Sequence, residues 1–287
     1  MSQVVRKVNA MSVDVEDYFQ VSAFEPVIKK SQWEDLPQRV EKNTLRILDI
    51  FSENQVKATF FTLGWVAQRH PGLLRRIVDD GHELACHGYE HIRITEQTPD
   101  EFRKDIVKTK QILEDIAGVE VTGYRAASYS INAQNLWAHE ILEEAGFCYS
   151  SSIYPVKHDL YGIPGAPRFM YQPLAGKPFR EIPISTLNIL DRNIPCGGGG
   201  FFRLYPYWFS KWAFSRLNNK ELQSGIFYFH PWEIDPDQPR QKNLPMKTRI
   251  RHYLNLGAME SRLKNLLKDF NWDTMENVFL SNQDKIS

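Results

Sequence analysis

Strand-like runs alternate with segments of helical period through the first 150 residues, and this alternation restricts the possible folds more than any other feature. Residues 8–15 (VNAMSVDV) read as a strand, and 38–53 space Val40, Leu45, Leu48 and Phe51 roughly along one helix face. The β-branched and aromatic run 56–63 (VKATFFTL) reads as a buried strand. Pro71 then opens a helix carrying Leu73, Leu74, Ile77 and Val78, with Gly81 as its stop. The pattern continues with a strand over 82–87, a helix over 99–116 ended by Gly118, a strand over 121–125, a helix over 135–145 and a strand over 147–151. Strands separated by helices of this length predict parallel βαβ units, wound into a sheet or a barrel. An open doubly wound sheet fits almost as well, although no GxGxxG loop follows the first strand.

Beyond residue 154 the texture changes. Pro and Gly crowd 155–208, and Gly197 to Gly200 read as a tight loop between Pro195 and Phe201 rather than a linker. Residues 226–230 (IFYFH) form another strand, and 248–270 read as an outer covering helix. No internal repeat or domain boundary stands out, so the expectation is one domain over 1–287, with 236–287 a helical extension.

Charge narrows the function classes. Lys plus Arg equals Asp plus Glu at 35 each. That balance supplies no basic field for nucleic acid and no basic face for an anionic membrane. No run is long and apolar enough for a membrane span, and the first residues lack a signal-peptide core, so the expected compartment is the cytoplasm. Three scattered cysteines form neither a disulfide framework nor a Cys-rich metal site.

Four groups of residues can carry chemistry. His87 and His91 are four apart, whether on one helix face or in a strand leaving into a turn, and either geometry suits two imidazole ligands on one divalent ion. Asp14, Glu16 and Asp17 end the first strand, where barrel and α/β enzymes commonly keep their sites. A catalytic ion that activates water typically has three protein ligands and open positions, with another carboxylate to take the proton. His230 closes an aromatic strand, and its near-neutral range suits a general acid. Arg125 ends a further strand, where a guanidinium can brace a carboxylate.

Taken in chain order, these stretches resemble the polysaccharide deacetylase (NodB homology) family, also called carbohydrate esterase family four. The matching stretches are SVDVEDYF (12–19), ATFFTLGWVA (58–67), GHELACHGYEH (81–91), GYRAASYSI (123–131) and FYFHPWEID (227–235). The resemblance implies a distorted (β/α) barrel of about seven parallel strands. It implies a divalent ion, zinc first, with cobalt, nickel or manganese as substitutes, and water attack on an N-acetyl group of a carbohydrate. By matching position, Asp14 resembles the base, Arg125 its orienting partner and His230 the general acid. His87 and His91 resemble metal ligands, and the backbone of Ala126 to Tyr129 the oxyanion site.

The chain departs from the family where Asp-Asp-Gly is usual and Asp14-Val15-Glu16-Asp17 stands instead. The third ligand is then Asp17, whose shorter carboxylate matches the family's, or Glu16, which strand alternation puts on the face of Asp14. Ala127 also replaces a proline that usually follows the arginine. The wording GGGGFFRLYP and FHPWEID is similar to a subgroup encoded with exopolysaccharide and exosortase-type export systems. That points to an N-acetylated exopolysaccharide or its precursor as substrate. Candidate substrate-binding residues are Tyr129, His158, Asp159 and Trp232; Phe202 is a further stacking surface, and Arg168 a candidate for sugar hydroxyls or for orienting His230. Two other readings keep the fold: a ureide or formyl hydrolase (allantoinase-like or deformylase-like), and a catalytically silent carbohydrate-binding scaffold.

Overall fold

The first strand is the hub of the architecture. In the computed structural model, which describes residues 7–156 and 162–280, β1 (Val8–Val15) is followed by α1 (Val40–Glu53), β2 (Thr59–Thr62), α2 (Gly64–Arg69), α3 (Pro71–Asp79) and β3 (Glu83–Cys86). Next come α4 (Pro99–Ala117), β4 (Gly123–Tyr124), α5 (Ala138–Glu144), β5 (Tyr149–Ser150), β6 (Arg180–Glu181), β7 (Thr186–Ile189) and β8 (Arg192–Pro195). The chain continues through α6 (Gly199–Leu204), α7 (Tyr207–Asn219), β9 (Ile226–Phe229), α8 (Met246–Tyr253), α9 (Leu256–Asp269), β10 (Asn271–Asp273) and α10 (Met275–Phe279).

Seven strands run parallel in the order β9-β1-β2-β3-β4-β5-β6 and curl into a distorted (β/α) half-barrel. β10 adds three parallel residues to β1, with Ala10 opposite both Asp273 and Ile226, so β10 continues the edge that β2 occupies further along. Among the described residues β6 and β9 do not pair. Residues 182–198, with the antiparallel β7–β8 hairpin and a bridge from Gly198 to Tyr228, lie between them.

The side-chain period of two sorts each strand into an inner and an outer face. On β1, Met11, Val13 and Val15 join the outer apolar layer, while Ala10, Ser12 and Asp14 alternate with them. Phe60 and Phe61 on β2, and Phe227 and Tyr228 on β9, divide in the same way. Helix ends follow local chemistry: Thr98 and Glu101 form a capping box on α4, Pro99 occupies its first turn, and Gly118 ends it at φ 68°. Among the described residues no helix is long and apolar enough to cross a membrane.

Three expectations need correction. A short helix, α2, precedes the one expected from Pro71, because its apolar residues Trp65, Val66 and Ala67 are consecutive and carry no helical period. The glycine run is no free loop: α6 starts at Gly199, where an added Cβ would meet the Glu233 carboxylate at 2.3 Å. The segment expected as one covering helix is two, broken at Asn255 (φ 53°), and it ends in β10. Trp272 of β10 is buried against Phe214, Phe227 and Phe270, so the last described strand shares the outer core of the first.

Shared packing of this kind predicts one cooperative unit. Trp272→Ala should cost about 3–5 kcal/mol, measured by urea denaturation, with tryptophan fluorescence and circular dichroism losing signal together. Two separated transitions would mean that the C-terminal elements fold apart.

Candidate active site

The functional side chains converge at the carboxyl ends of the strands. Asp14 and Glu16 leave β1, His87 follows β3, Arg125 follows β4, Ser151 and Ser152 follow β5, and His230 follows β9. All but His230 are buried to 2 % exposure or less. The loop after β3 is held from two sides. Gly64 and Trp65 of α2 donate to the carbonyls of Gly88 and Tyr89, and the Asp105 carboxylate accepts from the Tyr89 N–H at 3.1 Å. Gly88 (φ 75°) and His91 (φ 54°) both take the left-handed conformation, so His91 is reached by a turn, not along a helix.

Arg125 organises one half of the site. Its Nη1 donates to Asp14 Oδ1 at 2.5 Å and to Ser12 Oγ at 3.0 Å, while Nε donates to the Ser151 carbonyl and Nη2 to Ser151 Oγ. The guanidinium stacks 3.9 Å over Phe61. Its backbone carbonyl accepts from His87 Nδ1 at 2.8 Å. A carbonyl only accepts, so Nδ1 carries the proton and Nε2 keeps the lone pair a metal requires. Burial pulls His87 down to about 4, which keeps it neutral and able to ligate.

Glu16, His87 and His91 bring one ligand atom each to within 4.8 Å of one another. His91 Nε2 lies 3.0 Å from Glu16 Oε2, yet hydrogen-bond geometry is lacking, and both Glu16 Oε2 and His91 Nδ1 are buried without a hydrogen-bond partner. Two imidazoles and a carboxylate with an unsatisfied oxygen suit a divalent ion of the zinc type. Burial would raise Glu16, but His91 and His230 outweigh it and hold the carboxyl down at about 2, ionised as a ligand must be.

The opposite wall carries His230. Its Nε2 lies 3.5 Å from Glu16 Oε1 and 3.9 Å from Asp14 Oδ2, and its Nδ1 lies 2.8 Å from Glu233 Oε1. The carboxylate only accepts, so Nδ1 donates to Glu233 and Nε2 faces the site. Arg203 Nε donates to Glu233 Oε2 at 2.7 Å, and Arg203 is itself fully buried. Burial would depress His230, but Glu16 and Glu233 push it up to about 9. Burial would raise Glu233, but Arg203 and His230 hold it at about 2. Glu233 and Arg203 were not singled out in the sequence. The i to i+3 spacing of His230 and Glu233 was the available signal, whereas Arg203 lies 30 residues away.

Several candidates fall elsewhere. Asp17 stays out of the metal group: its carboxylate accepts from the N–H groups of Tyr18, Arg39 and Val40 and ties β1 to the start of α1. Burial raises its carboxyl to about 6 despite those bonds. Trp232 offers no open face, because it is 6 % exposed and stacked between His230 at 5.1 Å and His252 at 4.2 Å. Phe202 packs on Phe227, and Tyr129 packs edge-on against Tyr154 and Tyr228. Arg168 bonds Thr186 and Glu221, so Glu233 orients His230 instead. The Ala126 N–H donates to Ser152 Oγ and the Tyr129 N–H to the Ala126 carbonyl, which engages two of the expected oxyanion donors. His158 and Asp159 lie outside the described residues.

Known proteins resemble the chain in two blocks. Residues 31–149 match the model of a family described as polysaccharide deacetylase, and 151–280 match a domain of unknown function. A peptidoglycan-N-acetylglucosamine deacetylase from Bacillus cereus is 41% identical over 75 residues, which are 26% of this chain and 27% of that protein. The chain thus matches about a quarter of that relative's length. A crystal structure from Mycobacterium smegmatis assigned to the polysaccharide deacetylases superposes with TM-score 0.60 at 20% identity, over 97% of this chain and 91% of that one. An allantoinase superposes with TM-score 0.59 at 18% identity, over 95% and 88%. Both superpositions speak for the fold alone.

The geometry separates the two acidic neighbours. Glu16→Gln should lower affinity for zinc by more than about 100-fold, beyond the 10–100-fold typical of outer-sphere changes, read by elemental analysis after dialysis. Asp17→Asn should keep the ion and lose about 1 kcal/mol of stability, as for a weakened helix cap. The reverse pattern would make Asp17 the ligand.

Proposed function

We propose, from the match of residues 31–149 to the polysaccharide deacetylase family, that this chain hydrolyses N-acetyl groups of amino sugars in an exopolysaccharide or its precursor. The observation that carries this reading is the Glu16, His87 and His91 group beside the Asp14–Arg125 pair, with His230 facing both. Glu16, His87 and His91 would hold the ion. A bound divalent ion supplies Lewis acidity for the amide carbonyl and acidifies coordinated water.

The residues of the chain then have separate tasks. Asp14 takes the proton of the attacking water, and Arg125, with its other donors on Ser12 and Ser151, keeps that carboxylate aimed into the site. His230 Nε2 gives a proton to the departing nitrogen as the C–N bond breaks, leaving acetate and a free amine. Glu233 stabilises the imidazolium and fixes its ring, and Arg203 fixes Glu233. His158 and Asp159 stay candidates for substrate recognition from the sequence alone.

Asp14→Asn should retain the ion yet lower acetate release from chitooligosaccharides by about 10²–10⁴-fold, the usual range for a general base. His230→Ala should act similarly, and Glu233→Gln should cost about 10–100-fold, mainly in kcat. Loss of the ion from Asp14→Asn would make Asp14 a ligand. Full activity after chelation would favour the ureide-hydrolase reading, and no turnover of any acetamido sugar would favour the silent scaffold.

A further inference from the structure

The overall neutrality of the chain conceals a local exception. Residues 238–259 contain no acidic side chain but carry Arg240, Lys242, Lys247, Arg249 and Arg251, all exposed. Among the described residues none of these five forms an ion pair, whereas most other surface arginines do. Two large apolar side chains stand among them: Met246 is 67 % exposed and Ile250 is 53 % exposed. Spaced four apart on α8, they share a face with Tyr253 and border a groove of about 470 Å³ whose rim carries Arg240 and Arg249.

We propose that α8 and its groove dock on an anionic phospholipid bilayer. Cations alone would suit any polyanion. Apolar tips at the centre of the cationic field match an amphiphilic surface, into which Met246 and Ile250 insert while the arginines and lysines meet the phosphates. The adjoining α6 exposes a further apolar side chain, Leu204. The surface is wired to the catalytic wall. Arg203 donates to the carbonyls of Arg251, His252 and Leu254 at the end of α8, and the same guanidinium holds Glu233. His252 of α8 stacks on Trp232, which stacks on His230. Docking through α8 would bring the site to the lipid surface, where a membrane-borne glycan is presented. The docking itself does not depend on the reaction proposed above.

Flotation of the full chain with vesicles tests this directly. Binding is expected to vesicles with about 30 % phosphatidylglycerol, at the low end of affinity for one short helix, and not to pure phosphatidylcholine. Lys247→Gln with Arg249→Gln should weaken partition by more than about 20-fold, at about 5-fold per cation. Met246→Ser with Ile250→Ser should weaken it at unchanged charge, with circular dichroism and release of acetate from a short soluble chitooligosaccharide as wild type. Absence of wild-type binding, equal binding to phosphatidylcholine, or indifference to both double variants overturns the proposal. So does a self-associated wild type, free of vesicles, that Met246→Ser with Ile250→Ser converts to monomer. Vesicle binding without acetate release in any variant would leave the docking standing and remove the deacetylase reading alone.

Discussion

The buried ion pair of Arg125 and Asp14 is the interaction on which the rest of the site depends. Breaking such a pair by removing one partner costs about 3–5 kcal/mol, because the remaining charge stays buried. Here the cost of burial is offset by a full set of contacts: two serines, a carbonyl and the Phe61 ring surround the guanidinium. One residue therefore performs two orientations. Its side chain aims Asp14, and its carbonyl selects the tautomer of His87. A substitution at Arg125 would disturb Asp14 and His87 together, through different atoms of the same residue.

A second buried arginine repeats this logic on the opposite wall. Among the described residues Arg203 and Arg125 are the two largest fully buried side chains, and each braces a carboxylate. In the proposed reaction the carboxylate held by Arg125 acts on the water itself, whereas the one held by Arg203 bonds His230. The two halves come from different blocks of sequence. His87, His91 and Arg125 lie within residues 31–149, while Arg203, His230 and Glu233 lie within 151–280. Asp14 and Glu16 precede both, on the strand that pairs with β2 and with β9. β1 thus supplies the two carboxylates and also joins the two blocks side by side.

What was legible in the chain was local. The alternation of strand and helix announced the parallel sheet, because period and length are properties of neighbouring residues. Arg125 could be singled out because it follows a strand, where a side chain reaches the mouth of a barrel, and His87 and His91 because they stand four apart. Long-range choices were not legible. Nothing near Arg203 says that its partner is Glu233 and not solvent, and nothing in the three residues of β10 says that they pair with β1. Trp232 shows the same limit from the other side. An aromatic beside a catalytic histidine reads as a sugar platform, yet His252, 20 residues on, covers its second face. Net charge is silent for a related reason: a sum of zero says nothing about where the charges sit.

The replacement of Asp-Asp-Gly by Asp14-Val15-Glu16-Asp17 shows how such a choice is made physically. The inner face of β1 takes Ser12 and Asp14, and Val15 is committed to the outer core with no exposure. A carboxylate at position 15 would have to turn through the sheet, so the next side chain able to reach His87 and His91 is at 16. The backbone there has already left the strand, since the Glu16 N–H donates back to the Asp14 carbonyl. Asp17 follows the chain away from the mouth and meets the first N–H groups of α1, whose dipole favours a carboxylate. In the proposed arrangement, a ligand moved on by one residue is also one carbon longer. The same turn frees the following aspartate to anchor the helix that covers the hub strand.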